Sequence, residues 1–309
     1  MSYMIQFLLV LGLTMVACLK VTVQGFMSRQ LVRSTQDSVW FNVLMFYAMT
    51  VFFLIFFTPG IPDGPTLLFA LGAGTSVAVF QTCYALALKT GPVSLTVLIT
   101  NFSVLITTTY GILAFGDRLY ASQMVAIVLL VISMILSVNF DKKASDAKQT
   151  KKLPVHWIAL TVASLLSNAG SGCFQRTFAM SPNFTYPLME NTFMVLMQFT
   201  AGTLSLMAYL ALSLTGKKEK SSMGFRPAAL AYAGGIALIL GLYQVYLLFC
   251  LANIEGTFFS PTYAGLQSLI MTLIGMILFH DKLSTRQKWG VACGILCVVL
   301  MNVRVGFAI

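Results

Sequence analysis

The sequence predicts an all-α integral membrane protein, with ten transmembrane helices arranged as two inverted five-helix repeats. Three observations carry this reading. Of the 309 residues, 58% are hydrophobic and only 9% are charged, whereas a soluble domain carries about a quarter charged residues. A chain so poor in charge cannot cover its own surface against water. Its apolar runs repeatedly reach the roughly 18–20 residues needed to cross a hydrocarbon core. Finally, the stretch Gly111-Ile112-Leu113-Ala114-Phe115-Gly116-Asp117-Arg118-Leu119, with Gln123 beyond it, recurs as Gly275-Met276-Ile277-Leu278-Phe279-His280-Asp281-Lys282-Leu283, with Gln287 in the same place. At this offset of 164 residues Gly111, Phe115, Asp117, Leu119 and Gln123 meet identical residues, and Arg118 meets Lys282. Asp, a basic residue and Gln are scarce in apolar sequence, so their coincidence marks an internal repeat.

The spans follow in order. The chain starts Met-Ser-Tyr-Met without a basic n-region, and its apolar run outlasts a signal-peptide core, so 3–27 reads as the first span rather than a cleaved signal. Span two covers 39–57. Pro59-Gly60-Ile61-Pro62-Asp63-Gly64-Pro65 then breaks the chain before span three at 66–88. Gly91-Pro92 leads into span four, 93–115, which ends in the first repeated stretch, and span five covers 122–138. Asp141–Lys152, with five Lys, is the most polar stretch and separates the halves. Spans six to ten cover 155–178, 187–214, 228–252, 257–279 and 285–305. Ser284-Thr285-Arg286-Gln287 has the spacing of a capping box opening the last span. The domains expected are therefore a first repeat at 1–140, a basic linker at 141–153 and a second repeat at 154–309. The starts of the halves match more weakly: at an offset of 147, Leu13, Thr14, Gly25 and Arg29 meet Leu160, Thr161, Gly172 and Arg176. An odd number of spans per repeat forces the halves into opposite orientations, the inverted architecture of secondary transporters, whose binding site lies near the midplane between repeats.

The net charge of +10 does not point to nucleic acid here, because the basic residues cluster between spans, where they set orientation and meet anionic lipid. The odd-numbered loops carry fifteen Lys and Arg, against three for the even loops and termini. By the positive-inside rule, the odd loops face the cytoplasm and both termini lie outside. The six Cys all lie in apolar runs without a CxxC pair, so they read as packing residues. No phosphate-binding loop, HExxH or GxSxG is present, and His156 and His280 both sit near span ends. The expectation is a non-enzyme with no catalytic residue, no metal and no cofactor.

Ionisable residues inside a span are costly, at about 2.5–3.5 kcal/mol on insertion scales, and normally face the protein interior. Lys20 lies well inside span one and Glu190 about one turn into span seven. Lys20 holds an anionic group, forms an internal ion pair, or snorkels to the interface. Glu190 is the candidate for proton coupling or for a gate pair with Arg176. Span six carries Ser164, Asn168, Ser171 and Gln175, spaced four, three and four, a single polar face. In lipid that face must point inward, either lining a cavity or bonding to neighbouring helices. Further polar residues at helical spacing are Lys20 and Gln24 on span one, Gln81 and Tyr84 on span three, Asn101 on span four, Tyr243 and Gln244 on span eight, and Tyr263 and Gln267 on span nine. Pro261 can loosen span nine. Asp117 and Asp281, at span ends beside Arg118 and Lys282, read as caps or loop ion pairs.

Ten spans as five plus five, with Gly-Asp-Arg-Leu at 116–119 and His-Asp-Lys-Leu at 280–283, resemble the drug/metabolite transporter superfamily, in its ten-helix EamA-like branch. That family often has Gly-Glu-Arg-Leu at this corner; here both copies have Asp and the second has His280 for Gly. The resemblance implies an alternating-access carrier of small metabolites, with both termini in the cytoplasm, against the charge count. It implies a central cavity lined mainly by helices one, three, four, six, eight and nine, all of which carry polar residues named above. The resulting expectation is a transporter in the plasma or inner membrane, contacting lipid, monomeric or homodimeric, with proton coupling left open. Its substrate would be a small polar metabolite, with Lys20 favouring an amino acid or other carboxylate. A neutral or cationic metabolite such as a nucleobase, vitamin or quaternary amine is the alternative, and a non-transporting membrane sensor is the reading from another class.

Overall fold

A computed structural model describes residues 3–31, 34–90, 96, 99–137, 155–214, 226–278 and 285–301. Among the described residues the chain forms ten α-helices: α1 (Tyr3–Leu31), α2 (Thr35–Phe56), α3 (Gly64–Thr90), α4 (Ser103–Phe115), α5 (Ala121–Ser137), α6 (Val155–Ala179), α7 (Pro187–Leu214), α8 (Pro227–Asn253), α9 (Gly256–Leu278) and α10 (Thr285–Met301). A 3-10 turn, Pro182–Thr185, joins α6 to α7. Six of the helices (α1, α2, α3, α6, α7 and α8) are long and apolar enough to cross a membrane. The apolar stretches containing α4, α5 and α10 are shorter.

Local chemistry explains where the helices depart from the predicted spans. The second helix starts at Thr35, four residues before the predicted 39. Ser34 Oγ accepts from Asp37 N at 3.1 Å, and Asp37 Oδ2 accepts from Ser34 N at 3.0 Å. This reciprocal capping box adds a turn that hydropathy alone does not register. The fourth span is interrupted near its middle. Phe102 forms a tight turn, donating its N–H to Ile99 O and accepting from Leu105 N, so α4 proper begins at Ser103. α9 absorbs Pro261 without ending. Ser284 and the second repeated corner, 279–284, lie outside the described residues.

Large apolar side chains such as Leu8, Leu54, Leu113 and Leu242 face outward and exposed, as a lipid-facing surface requires. The interior holds Phe53, Phe178, Phe193 and Phe258, fully buried. The rings of Phe178 and Phe193 stack at 4.1 Å between α6 and α7.

Helix packing follows a simple rule. α2 packs on α7, α4 on α9 and α5 on α10, each helix against its counterpart in the other group of five. Three further sets of pairs exchange: α3 with α6 mirrors α8 with α1, α2 with α8 mirrors α7 with α3, and α4 with α6 mirrors α9 with α1. Swapping the two groups of five leaves this pattern unchanged. Other pairs have no such mirror, among them α9 with α10 and, at the cavity, α6 with α8. α6 packs on α8, whereas its mirror pair, α1 and α3, has no comparable packing among the described residues.

Candidate functional site

A cavity of about 800 Å³ lies at the centre of the bundle. Lys20 and Val21 of α1, Gln81 and Tyr84 of α3, Asn168 to Arg176 of α6, and Tyr243 and Gln244 of α8 contribute to its wall. Asn101, just before the break at Phe102, and Tyr263 and Gln267 of α9 complete the set expected from the sequence. Eleven of the twelve residues expected to face a binding site thus come together around one cavity. The twelfth, Gln24, has its side chain outside the described residues.

Within that wall the polar groups divide. The α6 face is engaged in hydrogen bonds, along the helix and across to its neighbours. Asn168 Nδ2 donates to Ser103 Oγ at 2.7 Å, Gln175 Nε2 to Ser171 Oγ at 2.8 Å, and Gln244 Nε2 to Gln175 Oε1 at 2.8 Å. Ser164 bonds Thr100 at 3.2 Å and lies behind the wall. Trp157 Nε1 donates to Thr96 Oγ1, and the Tyr110 and Thr177 hydroxyls meet at 2.6 Å. Together these contacts form a polar seam along α4 and α6. The Tyr243 and Tyr263 hydroxyls meet at 3.1 Å. Lining and interhelical bonding, which the sequence offered as alternatives for the α6 stripe, therefore coexist. By contrast, Lys20, Gln81, Tyr84, Asn101 and Gln267 make no side-chain hydrogen bond among the described residues, although all belong to the wall. No Asp or Glu contributes to the described wall.

A buried ion pair adjoins the cavity wall. Arg176, 4% exposed, donates from Nη2 to both carboxylate oxygens of Asp117, at 3.1 and 2.9 Å. Its Nη1 donates to the carbonyls of Ile254 (2.9 Å) and Leu251 (3.3 Å). The fork of the guanidinium fits this bidentate pairing. The first repeated stretch builds the receptor for it. Gly111 leaves the space that Asp117 occupies: a Cβ there would stand 2.5 Å from Asp117 Oδ2. Gly116, at φ 66°, ends α4 in the left-handed region and turns the chain. Phe115 lies under the guanidinium, 5.3 Å from ring centroid to Cζ. Gly256 N donates to Asp117 Oδ2 at 2.7 Å, and Thr257 Oγ1 to Arg118 O. Gln123 Oε1 accepts from Tyr120 N at the start of α5.

Two expectations are corrected. Arg176 does not form a gate pair with Glu190, because its two terminal nitrogens are fully engaged by Asp117 and the end of α8. Glu190 sits in the first turn of α7, where an acid suits the helix dipole, and takes no part in the cavity wall. Asp117 is an ion-pair partner, but of Arg176 rather than of its neighbour Arg118. The sequence reading also passed over two lining helices, α2 (Met45, Phe46, Met49) and α7 (Met197, Gln198).

Residues 8–139, spanning α1 to α5, match the model of the EamA-like transporter family. That match supports a place in the drug/metabolite transporter superfamily, in its EamA-like branch. The matched family is one of small-molecule transporters, and with the six helices long and apolar enough to cross a membrane it supports a multi-pass membrane protein. A solved structure described as "Crystal structure of protein" superposes on it with a TM-score of 0.72 at 10% identity, covering 97% of this chain and 98% of the other. That likeness establishes the fold alone. No curated protein matches the sequence.

Proposed function

We propose that this protein is a secondary or facilitative carrier that moves a small carboxylate, such as an amino acid, across the plasma or inner membrane by alternating access. The observation that carries the substrate class is the charge of the cavity. Lys20 offers three N–H donors without a partner among the described residues. The other cation of the wall, Arg176, is neutralised by Asp117, and the described wall contains no carboxylate. An anionic group entering this space meets an unopposed positive charge in a setting of low dielectric.

Alternating access is supported by the packing. In this reading residues 1–140 and 154–309 are the two inverted repeats, on either side of the 141–153 linker. Among the cavity-lining helices α6 packs on α8 while the mirror pair α1 and α3 does not, and we take that looser side as the one on which the cavity opens. Transferring that difference to the other repeat gives the opposite-facing state. With no described acid in the wall, exchange or facilitated diffusion fits better than protonation of a cavity carboxylate.

The test is uptake of radiolabelled small carboxylates and matched amines into proteoliposomes. Carboxylate uptake is expected, and Lys20→Met is expected to reduce it about tenfold or more, the equivalent of one charge-assisted hydrogen bond. Preferential uptake of amines, or a Lys20→Met variant that transports carboxylates as well as the wild type, would overturn the substrate class.

A further inference from the structure

If the cavity takes a carboxylate, as proposed above, its wall also constrains what else the ligand carries. α7, which the family resemblance did not place at the cavity, contributes Met197 and Gln198 to its wall. Gly74 of α3 lets α7 come so close that a Cβ at that position would stand 2.5 Å from the Met197 carbonyl oxygen. This approach brings Gln198 into the cavity wall at 3% exposure. Its carboxamide makes no hydrogen bond among the described residues, and its Oε1 is sealed from solvent without a partner.

Among the buried side-chain atoms lacking a partner, only those of Gln198 and the Nε of Arg176 belong to this wall. Arg176 is already held through its other nitrogens, whereas Gln198 is held by nothing. The contrast with its neighbours is informative. Asn168, Gln175 and Gln244 are carboxamides of the same wall, each engaged by a protein partner, while the unbonded Gln81, Asn101 and Gln267 are less deeply buried than Gln198. A buried carboxamide left unpaired is destabilising, and such a group calls for an explanation.

We propose that Gln198 is a specificity-determining residue: its carboxamide oxygen accepts a hydrogen bond from an N–H of the ligand, whose carboxylate is drawn to Lys20. The preferred class is then an amino carboxylate rather than a carboxylate without a donor. Lys20 has only donors and cannot serve an ammonium group. With no Asp or Glu in the described wall, an ammonium must be met by a neutral acceptor, and Gln198 supplies one. A site built to bond an N–H discriminates strongly against the analogue lacking it, because its own polar group is then left unpaired.

The experiment measures ligand-induced thermal shifts of the full purified chain with matched pairs: L-leucine and 4-methylpentanoate, L-phenylalanine and 3-phenylpropionate, L-glutamate and glutarate, with phenethylamine added. In the wild type, at least one amino member is expected to bind about tenfold more tightly than its deamino partner. Gln198→Met is expected to erase that preference while leaving the deamino compound's affinity unchanged. Its unliganded melting temperature should equal or exceed the wild type's, because an unpaired buried amide is replaced by an apolar chain of similar volume. A preference that survives Gln198→Met, or equal binding of both members by the wild type, overturns the role of Gln198 and leaves the carboxylate reading standing. Phenethylamine binding as well as phenylalanine, or Lys20→Met without effect on either member, overturns both. The absence of a shift with every pair overturns the amino-carboxylate class. If Gln198→Met and Gln198→Leu both fail to fold, Gln198 is a structural partner in the bundle, and the proposal falls.

Discussion

The helix pairs α6–α8 and α1–α3 occupy mirror-related places in the two groups of five, yet their polar side chains are used differently. On α6 and α8, Asn168, Gln175, Gln244 and Arg176 all have protein partners, and the two helices pack together. On α1 and α3, Lys20, Gln81 and Tyr84 have no side-chain hydrogen bond among the described residues, and the helices stand apart. In a membrane interior polar groups must find partners inside the protein. The first pair meets that demand within the fold. The second leaves its groups to the cavity. The same topological position can therefore bond within the fold in one group of five and face the cavity unbonded in the other. Substitutions on α6–α8 should register first in stability, and those on α1–α3 first in ligand binding.

The largest expected effect is at Arg176. Replacing it with Met leaves Asp117 as an unpaired charge 8% exposed, a loss of about 3–5 kcal/mol of stability. The double variant Arg176→Met with Asp117→Leu removes both charges and should recover most of it. Unfolding measured in detergent for the two single variants and the double variant checks this. A double variant no more stable than Arg176→Met would mean that Asp117 acts through Gly256 N and the chain turn rather than through the charge pair. Lys20→Met provides the contrast: it should lose carboxylate affinity with no loss of stability.

How much of this was legible in the sequence follows from range. The ten spans, the doubled corner and the set of lining residues are local or periodic properties, and composition and helical spacing reveal them. The partners are not. Arg176 meets Asp117 across 59 positions, and Gln244 meets Gln175 across 69, so the sequence suggested nearby Glu190 and Arg118 instead. The doubled corner reads as a repeat marker, but the reason for its Gly, Phe and Asp appears only once Arg176 lies among them. Gln198 was missed because a lone Gln on an apolar helix has no periodic signal, and its position depends on the close approach of α7 at Gly74. The interruption at Phe102 was missed because that residue is neither Gly nor Pro.

A middle-sized effect is expected at Gln244. Gln244→Leu removes the donor to Gln175 Oε1 and should destabilise by about 1 kcal/mol, the usual worth of a side-chain hydrogen bond between membrane helices. Its effect on carboxylate affinity should be smaller than that of Lys20→Met, because its amide is engaged within the wall. Parallel melting and binding curves for the two variants measure the difference. If Gln244→Leu loses affinity as severely as Lys20→Met without losing stability, the division of labour between the two walls is wrong.

The smallest effect lies at the rim, where the two walls are tied. Asp63, in the turn before α3, accepts from Thr66 N at 3.0 Å and from Asn183 Nδ2 at 2.6 Å, the latter from the turn that follows α6. Its hydrogen bonds from Thr66, first, and from Asn183 hold the carboxyl below its ordinary value of 3.8. The sign follows from linkage: a carboxylate depressed in the folded state contributes stability that is present above its unfolded value and lost as pH falls through the folded one. The wild type should therefore lose a small increment of stability as pH falls below about 4. Asp63→Asn should lack that increment while keeping the same ligand affinity, since Asp63 is outside the cavity. The increment is small because the group is partly solvated and screened. Melting temperatures of the two proteins from pH 6 to pH 3 compare them directly. Parallel curves would show that the α3 rim is held not through Asp63 but by the hydrogen bonds of Gly60 with Leu188 O and Thr192 Oγ1 of α7.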